Sequence, residues 1–179
     1  LMSSAGANLS TGAMGLAVPI LIPPGRANLT PALALSYSSD VGNTMFGFGW
    51  DMPLGQIERS TKYGVPGCQT DPNEFVLNLN GSAIELVQVP TNANLFRAKI
   101  DESWMQATVD RVNNFWTVHD RAGNEYQFGT ESSSRASGPS GVMFSGCDQT
   151  AVWALRTIKD PNDNLISIRY ENDGNTLYP

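Results

Sequence analysis

Apolar and polar residues alternate with a period of two along most of the chain. Met14, Leu16, Val18, Ile20 and Ile22 alternate with Gly15, Ala17, Pro19 and Leu21, which predicts a strand with one buried face. Pro19 has no N–H for a ladder, so this strand is expected at a sheet edge or with that side left unpaired. Pro23-Pro24-Gly25 breaks the run. A second strand places Leu29, Leu33, Leu35 and Tyr37 on one side and leads through Ser38 and Ser39 into a turn with Asp40, Gly42 and Asn43. Phe46-Gly47-Phe48-Gly49-Trp50 reads as a packed aromatic corner, its glycines allowing close backbone approach.

Hairpins dominate the remainder. Residues 74–79 and 84–89 flank Asn80-Gly81, a dipeptide suited to the two-residue turns whose twist matches antiparallel strands. Residues 96–100 and 106–112 are weaker strand candidates. Residues 115–119 and 125–128 form a hairpin around Asp120 to Asn124, and 152–158 and 165–170 form another around Asp160 to Asn164. Residues 130–147 are rich in Ser and Gly and are expected as a loop. The two hairpin turns echo one another: an apolar strand meets Asp, three turn residues and Asn, then a second strand starts. A looser third version begins at Tyr170. Asp and Asn side chains bond to nearby backbone and tolerate left-handed geometry, which explains the recurrence without a ligand. No segment holds a 3.6-residue period over three turns, so the expected class is all-β, with antiparallel hairpins forming a shell-like or sandwich assembly.

Composition sharpens this picture. Of 179 residues only 16% are charged, while 17 are Gly and 11 are Pro, a mix that favours short strands and turns. The net charge of −6, with scattered basic residues, argues against a nucleic-acid-binding surface, so no nucleic-acid partner is expected. No apolar stretch has the length of a membrane-spanning helix, so no membrane insertion is expected. Cys68 and Cys147 each follow a Gly; a disulfide and two free thiols both remain open readings. Residues 1–11 are small and polar and are expected to form a flexible lead-in. The start shows no signal-peptide pattern, and the ends at Leu1 and Pro179 read as those of a fragment of a longer chain.

The candidate chemistry is thin. His119 is the single histidine, and beside Asp120 at a hairpin turn it reads as a surface residue, not as the base of a triad. Ser140-Gly141 and Gly138 lack the spacing of a hydrolase elbow. Glu74, Glu85, Asp101, Glu102, Asp110 and Glu125 are acid–base candidates only in the sense that any carboxylate is. Asp71-Pro72-Asn73-Glu74 and Asp160 to Asn164 offer oxygen ligands without the spacing of a calcium loop. Trp50, Trp116 and Trp153 are expected to be core residues, and together with Trp104 they are the candidates for a carbohydrate platform. Sequons at Asn8, Asn28 and Asn80 matter only in a glycosylating host. No catalytic residue, cofactor site or metal site is expected.

The order of motifs resembles a known family. Ser10-Thr11-Gly12-Ala13, Val18-Pro19-Ile20, Pro23-Pro24-Gly25-Arg26, Leu29-Thr30-Pro31 and the run from Leu33 to Ser39 look like the opening of an SpvB-type domain. Gly42-Asn43, Phe46 to Trp50, Ile57 to Ser60, Trp116 to Asn124, Phe128-Gly129, Trp153 to Asp160 and Asn164 to Tyr170 continue it. Asp163 stands where the family tends to have Gly. The family covers virulence plasmid B proteins and the B components of insecticidal toxin complexes, and is associated with Rhs/YD-repeat proteins.

The resemblance implies a β domain over residues 12–179 that is the N-terminal portion of something larger. It implies a secreted, non-catalytic scaffold that contributes β-sheet wall to a toxin-delivery shell. The implied partners are the remainder of its own chain and other toxin-complex subunits. Any toxic enzyme, such as the ADP-ribosyltransferase that follows this domain in the virulence protein, lies in a separate domain with no counterpart in these residues. The alternative reading is an extracellular adhesion module that recognises a glycan or a partner protein.

Overall fold

The computed structural model describes residues 4–7, 12–62, 74–100, 104–137, 150–173 and 176–179. The chain divides into two compact units, Leu1–Leu54 and Gly55–Pro179. Among the described residues every regular element is a strand or one of two short 3-10 turns, Arg26–Asn28 and Ser132–Ser134, so the all-β expectation holds.

The first unit contains β1 (Ser4–Ala7), β2 (Met14–Ile20), β3 (Leu33–Ser38), β4 (Asn43–Thr44), β5 (Gly47–Phe48) and β6 (Trp50–Asp51). Its four-stranded antiparallel sheet has the order β1-β2-β3-β6, and β4 and β5 form a separate small hairpin. Ser4–Ala7, inside the stretch expected as a flexible lead-in, is thus a paired strand: Ser4 lies opposite Ala17 and Ala7 opposite Met14. β2 is paired on both sides over Met14–Ala17, so it is an interior strand there and not an edge, and of the two expectations the unpaired side at Pro19 is the one the register agrees with. Pro19 pairs with Ala34 of β3 and lies beyond the β1 register among the described residues, so its missing N–H breaks no recorded ladder bond. The face expected to be buried is not: Met14, Val18 and Ile20 are exposed. The aromatic corner also differs from expectation. Trp50 is half-buried against Tyr37, ring centroids 5.3 Å apart, but Phe46 and Phe48 at the hairpin tip face solvent.

The second unit holds the core. Its strands are β7 (Gln56–Arg59), β8 (Phe75–Leu79), β9 (Ser82–Val89), β10 (Asn92–Ala98), β11 (Gln106–Asp110), β12 (Phe115–His119), β13 (Glu125–Phe128), β14 (Arg135–Ser137), β15 (Thr150–Lys159), β16 (Leu165–Ser167), β17 (Glu171–Asp173) and β18 (Thr176–Tyr178). From β7 to β13 each strand pairs antiparallel with the next. The long strand β15 then closes the ring: residues 152–154 pair with β7 and residues 155–159 pair with β13. The result is an eight-stranded antiparallel barrel, with β14 and β16 as added edges on β15. Closure satisfies the backbone groups that an open sheet would leave exposed.

Alternate residues fill the interior. Ile57, Leu77, Phe75, Leu86, Phe96, Val109, Trp116, Val118, Phe128, Trp153 and Leu155 form one buried cluster. An eight-stranded barrel leaves an interior just wide enough for such side chains, so it is a packed core and not a channel. The register agrees: Val109 opposes Trp116, Trp116 opposes Phe128, and Trp153 opposes Ile57. At about 25 cal/mol per Å², each buried Trp contributes on the order of 4–6 kcal/mol of gross burial free energy.

The expected hairpins are present, with Asn80 (φ 53°) and Gly81 (φ 76°) both left-handed as a type I′ turn requires. The two Asp-to-Asn turns are near copies. Asp120 Oδ1 accepts the Asn124 N–H at 2.9 Å and Asp120 Oδ2 accepts Asn124 Nδ2 at 2.8 Å. Asp160 receives the same two bonds from Asn164 at 2.9 and 2.8 Å, and a third from the Asn162 N–H at 2.8 Å. Gly123 (φ 84°) and Asp163 (φ 64°) occupy equivalent left-handed positions, so the departure from Gly at Asp163 leaves the turn geometry intact. Within the segment expected as a loop, Ser132–Ser134 form a 3-10 turn and β14 pairs with β15. Beyond the start of the looser third motif, β18 pairs antiparallel with β17.

Candidate functional site

The barrel interior offers aromatic faces and few polar atoms. Trp116 is fully buried, with ring centroids 4.7 Å from Phe75, 5.0 Å from Phe96 and 6.0 Å from Trp153, all in edge-to-face arrangements. Its Nε1 has no oxygen or nitrogen partner among the described residues; the neighbouring ring faces are weak acceptors that suit an indole N–H. Trp153 Nε1 donates to Asn114 Oδ1 at 2.9 Å. The Arg59 guanidinium closes one side of the cluster, 5.5 Å from the centroids of both Phe75 and Trp153. Trp116 and Trp153 are therefore core residues, as expected. Trp50 is only half-buried and Trp104 is exposed, and the former sits in the other unit.

His119 lies on the outer surface of β12, opposite Gln106 and Glu125. Its Nε2 is 3.4 Å from Glu125 Oε2, and neither cross-strand neighbour is a Ser or Cys. The partner it meets across the strands is a half-buried carboxylate, a surface contact worth little in solvent. A shallow groove of about 580 Å³ runs over this face, lined by Asn94, Thr108, Asp110, Phe115, Thr117 and His119 among others.

Glu85, Asp110, Asp120 and Asp160 are occupied in turns and surface pairs. Glu85 contacts Lys99 at 2.6 Å and Lys62 at 4.0 Å, and the Lys99 hydrogen bond holds its pKa below the usual range. Asp110 accepts the N–H groups of Val112 and Asn113, both at 2.9 Å, and these bonds to Asn113 lower its pKa. Burial pushes Asp120 up, but bonds from Asn124 and from the Tyr126 hydroxyl at 3.0 Å outweigh it and the net shift is downward. Burial and the Asp120 charge together push the Tyr126 hydroxyl up to about 12. Asp160 is likewise lowered, chiefly by the Asn164 side chain. These are ionised turn caps. The oxygens that could have held calcium at Asp160 accept bonds from the turn itself. Among the described residues no group of three or more His, Cys, Asp or Glu could hold a metal ion. Cys68, Cys147, Asp71, Asp101, Glu102, Gly138, Ser140 and the sequon at Asn8 lie outside the described residues.

Comparison with known proteins fits this structure. The family model for the Salmonella virulence plasmid 65kDa B protein matches residues 8–102, just over half of the chain. The mono(ADP-ribosyl)transferase SpvB of Salmonella choleraesuis (strain SC-B67) is 31% identical over 92% of this chain and 31% of its own length. The chain thus spans about a third of the length of the curated relatives it matches. Among solved structures, the TcdB2-TccC3 crystal structure superimposes with a TM-score of 0.73 at 23% identity, over 97% of this chain and 9% of the other. The N-terminal domain of effector protein SpvB from Salmonella typhimurium strain LT2 gives a TM-score of 0.64 at 24% identity, over 88% of this chain and 55% of the other. Those likenesses share the fold, and the match over residues 8–102 shows that this chain belongs to the Salmonella virulence plasmid 65kDa B protein family.

Proposed function

We propose that the chain is a non-catalytic structural segment of a secreted toxin-delivery protein, with residues 12–179 as part of its N-terminal β domain. Its task is to contribute β-sheet wall and interfaces to the rest of its own chain and to other toxin-complex subunits. The observation that carries this reading is the filled barrel. The residues pointing inward are apolar and close-packed, and the polar residues outside are spent on turns and surface pairs. A wall element needs this rigidity, whereas an enzyme needs a cleft with convergent polar groups. The toxin names of the relatives support the setting, and the position of the match within an N-terminal domain supports keeping any transferase activity elsewhere.

The test has two arms. Residues 1–179, incubated with NAD and host-cell extract, are expected to transfer no ADP-ribose, and His119→Ala is expected to change nothing. The full-length gene product, co-expressed with its genomic neighbours, is expected to co-purify with them in one assembly. Transferase activity in the segment, or a full-length product that binds no neighbour, overturns the reading. The groove beside His119, with two Thr hydroxyls, an Asn amide and the Phe115 ring, favours adhesion as the second reading. A glycan-array signal that Thr108→Lys and Phe115→Ala both abolish would establish it.

A further inference from the structure

Within the first unit, an apolar sheet face carries several exposed side chains among the described residues. Antiparallel register sets Leu16 opposite Tyr37, Val18 opposite Leu35 and Ile20 opposite Leu33. Trp50 lies opposite Tyr37 on the far side of β3. Directly opposed residues share a face, so these side chains, with Met14 by alternation, form one continuous apolar surface across three strands. The reverse face carries Gly15, Ala17, Pro19, Ala34, Ser36 and Ser38. On the apolar side Met14 is 52% exposed, Ile20 42% and Val18 37%, while Leu16, Leu33, Leu35, Tyr37 and Trp50 are half-buried. Leu21, at 78%, and Phe48, at 67%, extend the exposed apolar surface of this unit.

Charge distribution argues that this surface is not a solvated one. Arg26, Asp40 and Asp51 are the charged residues of the first 54, in a chain holding 11 Lys and Arg and 17 Asp and Glu. A sheet face meant for water carries charged and polar side chains. A face depleted of charge and rich in aliphatic and aromatic groups has the make-up of an obligate interface core. Relatives supply the occupant. The isolated N-terminal domain of the Salmonella typhimurium relative is matched over only 55% of its length, so one domain of this family holds nearly as much chain again outside the matched part.

The geometry points to the β2–β3–β6 face as the docking surface for a further uncharged, β-rich segment of the same polypeptide, from outside residues 1–179. Such a segment packs as a second layer about 10 Å away, and its own inner face is complementary in being aliphatic and aromatic. This assignment rests on the reading of the chain as a structural segment and names the surface through which it joins its surroundings.

The experiment uses the full-length gene product. A photo-crosslinking benzoylphenylalanine replaces Val18 in one variant and Thr108, on the exposed outer face of β11, in a control; cross-linked peptides are read by mass spectrometry. In parallel, thiol labelling of Val18→Cys and Ile20→Cys is compared in native and urea-unfolded protein, with Thr108→Cys as reference. The expected result is an intramolecular cross-link from position 18 to a peptide outside 1–179, with labelling at 18 and 20 slowed at least tenfold and labelling at 108 little changed. A cross-link to a second copy, to another polypeptide or to a peptide within 1–179 overturns the assignment while leaving the structural reading intact. Native labelling at positions 18 and 20 as fast as at 108 also overturns it. ADP-ribosyl transfer by the segment would instead sink the structural reading, whatever position 18 shows.

Discussion

Among the described glycines of the second unit Gly129 has the least room for a side chain, and Gly129→Ala separates two sources of cost. Its φ of +70° is a left-handed value that an L-residue adopts at about 1–2 kcal/mol. A Cβ built there would stand 2.4 Å from Trp153 Cδ1 and 3.0 Å from Trp153 Cβ and Cγ. The indole has little freedom to move, because it is 2% exposed and its Nε1 is bonded to Asn114. Overpacking of this kind adds roughly 1–3 kcal/mol, for a total of about 2–5 kcal/mol. Gly81 is the internal control: its φ is +76° and a Cβ there would meet nothing within 4 Å. Gly81→Ala therefore carries the strain alone, about 1–2 kcal/mol. Urea unfolding followed by tryptophan fluorescence, with m-values checked for constancy, is expected to rank Gly129→Ala below Gly81→Ala by about 1–3 kcal/mol. Equal destabilisation of the two variants within 0.5 kcal/mol would refute the claim that the Trp153 cluster is rigid and close-packed.

Other variants follow from the same core and turns. Trp116→Ala should cost about 3–5 kcal/mol in the same assay, whereas Trp116→Phe should cost less than about 2 kcal/mol because it removes the indole N–H that lacks an oxygen partner. The lowered pKa values of Asp120 and Asp160 mean that their contribution is present above the unfolded value of about 4 and is lost as pH falls through the folded values; Asp160→Asn should flatten the acid limb of a stability–pH curve, and an unchanged limb would contradict the assignment. Asp163→Gly should shift stability by less than about 1 kcal/mol in a thermal melt, since relief of left-handed strain is offset by loss of the exposed 2.6 Å contact with Lys159.

Local signals carried most of the second unit. Period-two alternation located β8, β9, β12, β13 and β15, Asn80-Gly81 announced its turn, and the repeated Asp and Asn marked two turns whose side-chain bonds are nearly identical. The burial of Trp116 and Trp153 followed from the same alternation. Barrel closure was not legible, because the pairing of Gln127 with Thr157 and of Glu58 with Val152 joins residues far apart in sequence, and nothing local at either position encodes its partner. The first unit misled in an instructive way. The alternation at Met14 to Ile20 correctly gave the strand and the apolar face, but a pattern reports which side is apolar and not whether anything in the same 179 residues covers it. Phe46 and Phe48 failed as a packed corner for the same reason. At His119 the absence of a second imidazole was visible from the sequence, while its contact with Glu125 depended on strand register. The groove of β10, β11 and β12 was missed, since its lining residues come from three strands and carry no motif.

The most direct measurement of the central claim is a cryo-electron microscopy map of the full-length gene product. The account predicts that residues 55–179 appear as a closed barrel, with β15 bridging β7 and β13 around the Trp116–Trp153 cluster, built into a continuous β wall made by the rest of the protein. A barrel that hangs apart from any wall on a free tether, in a particle otherwise complete, would contradict it.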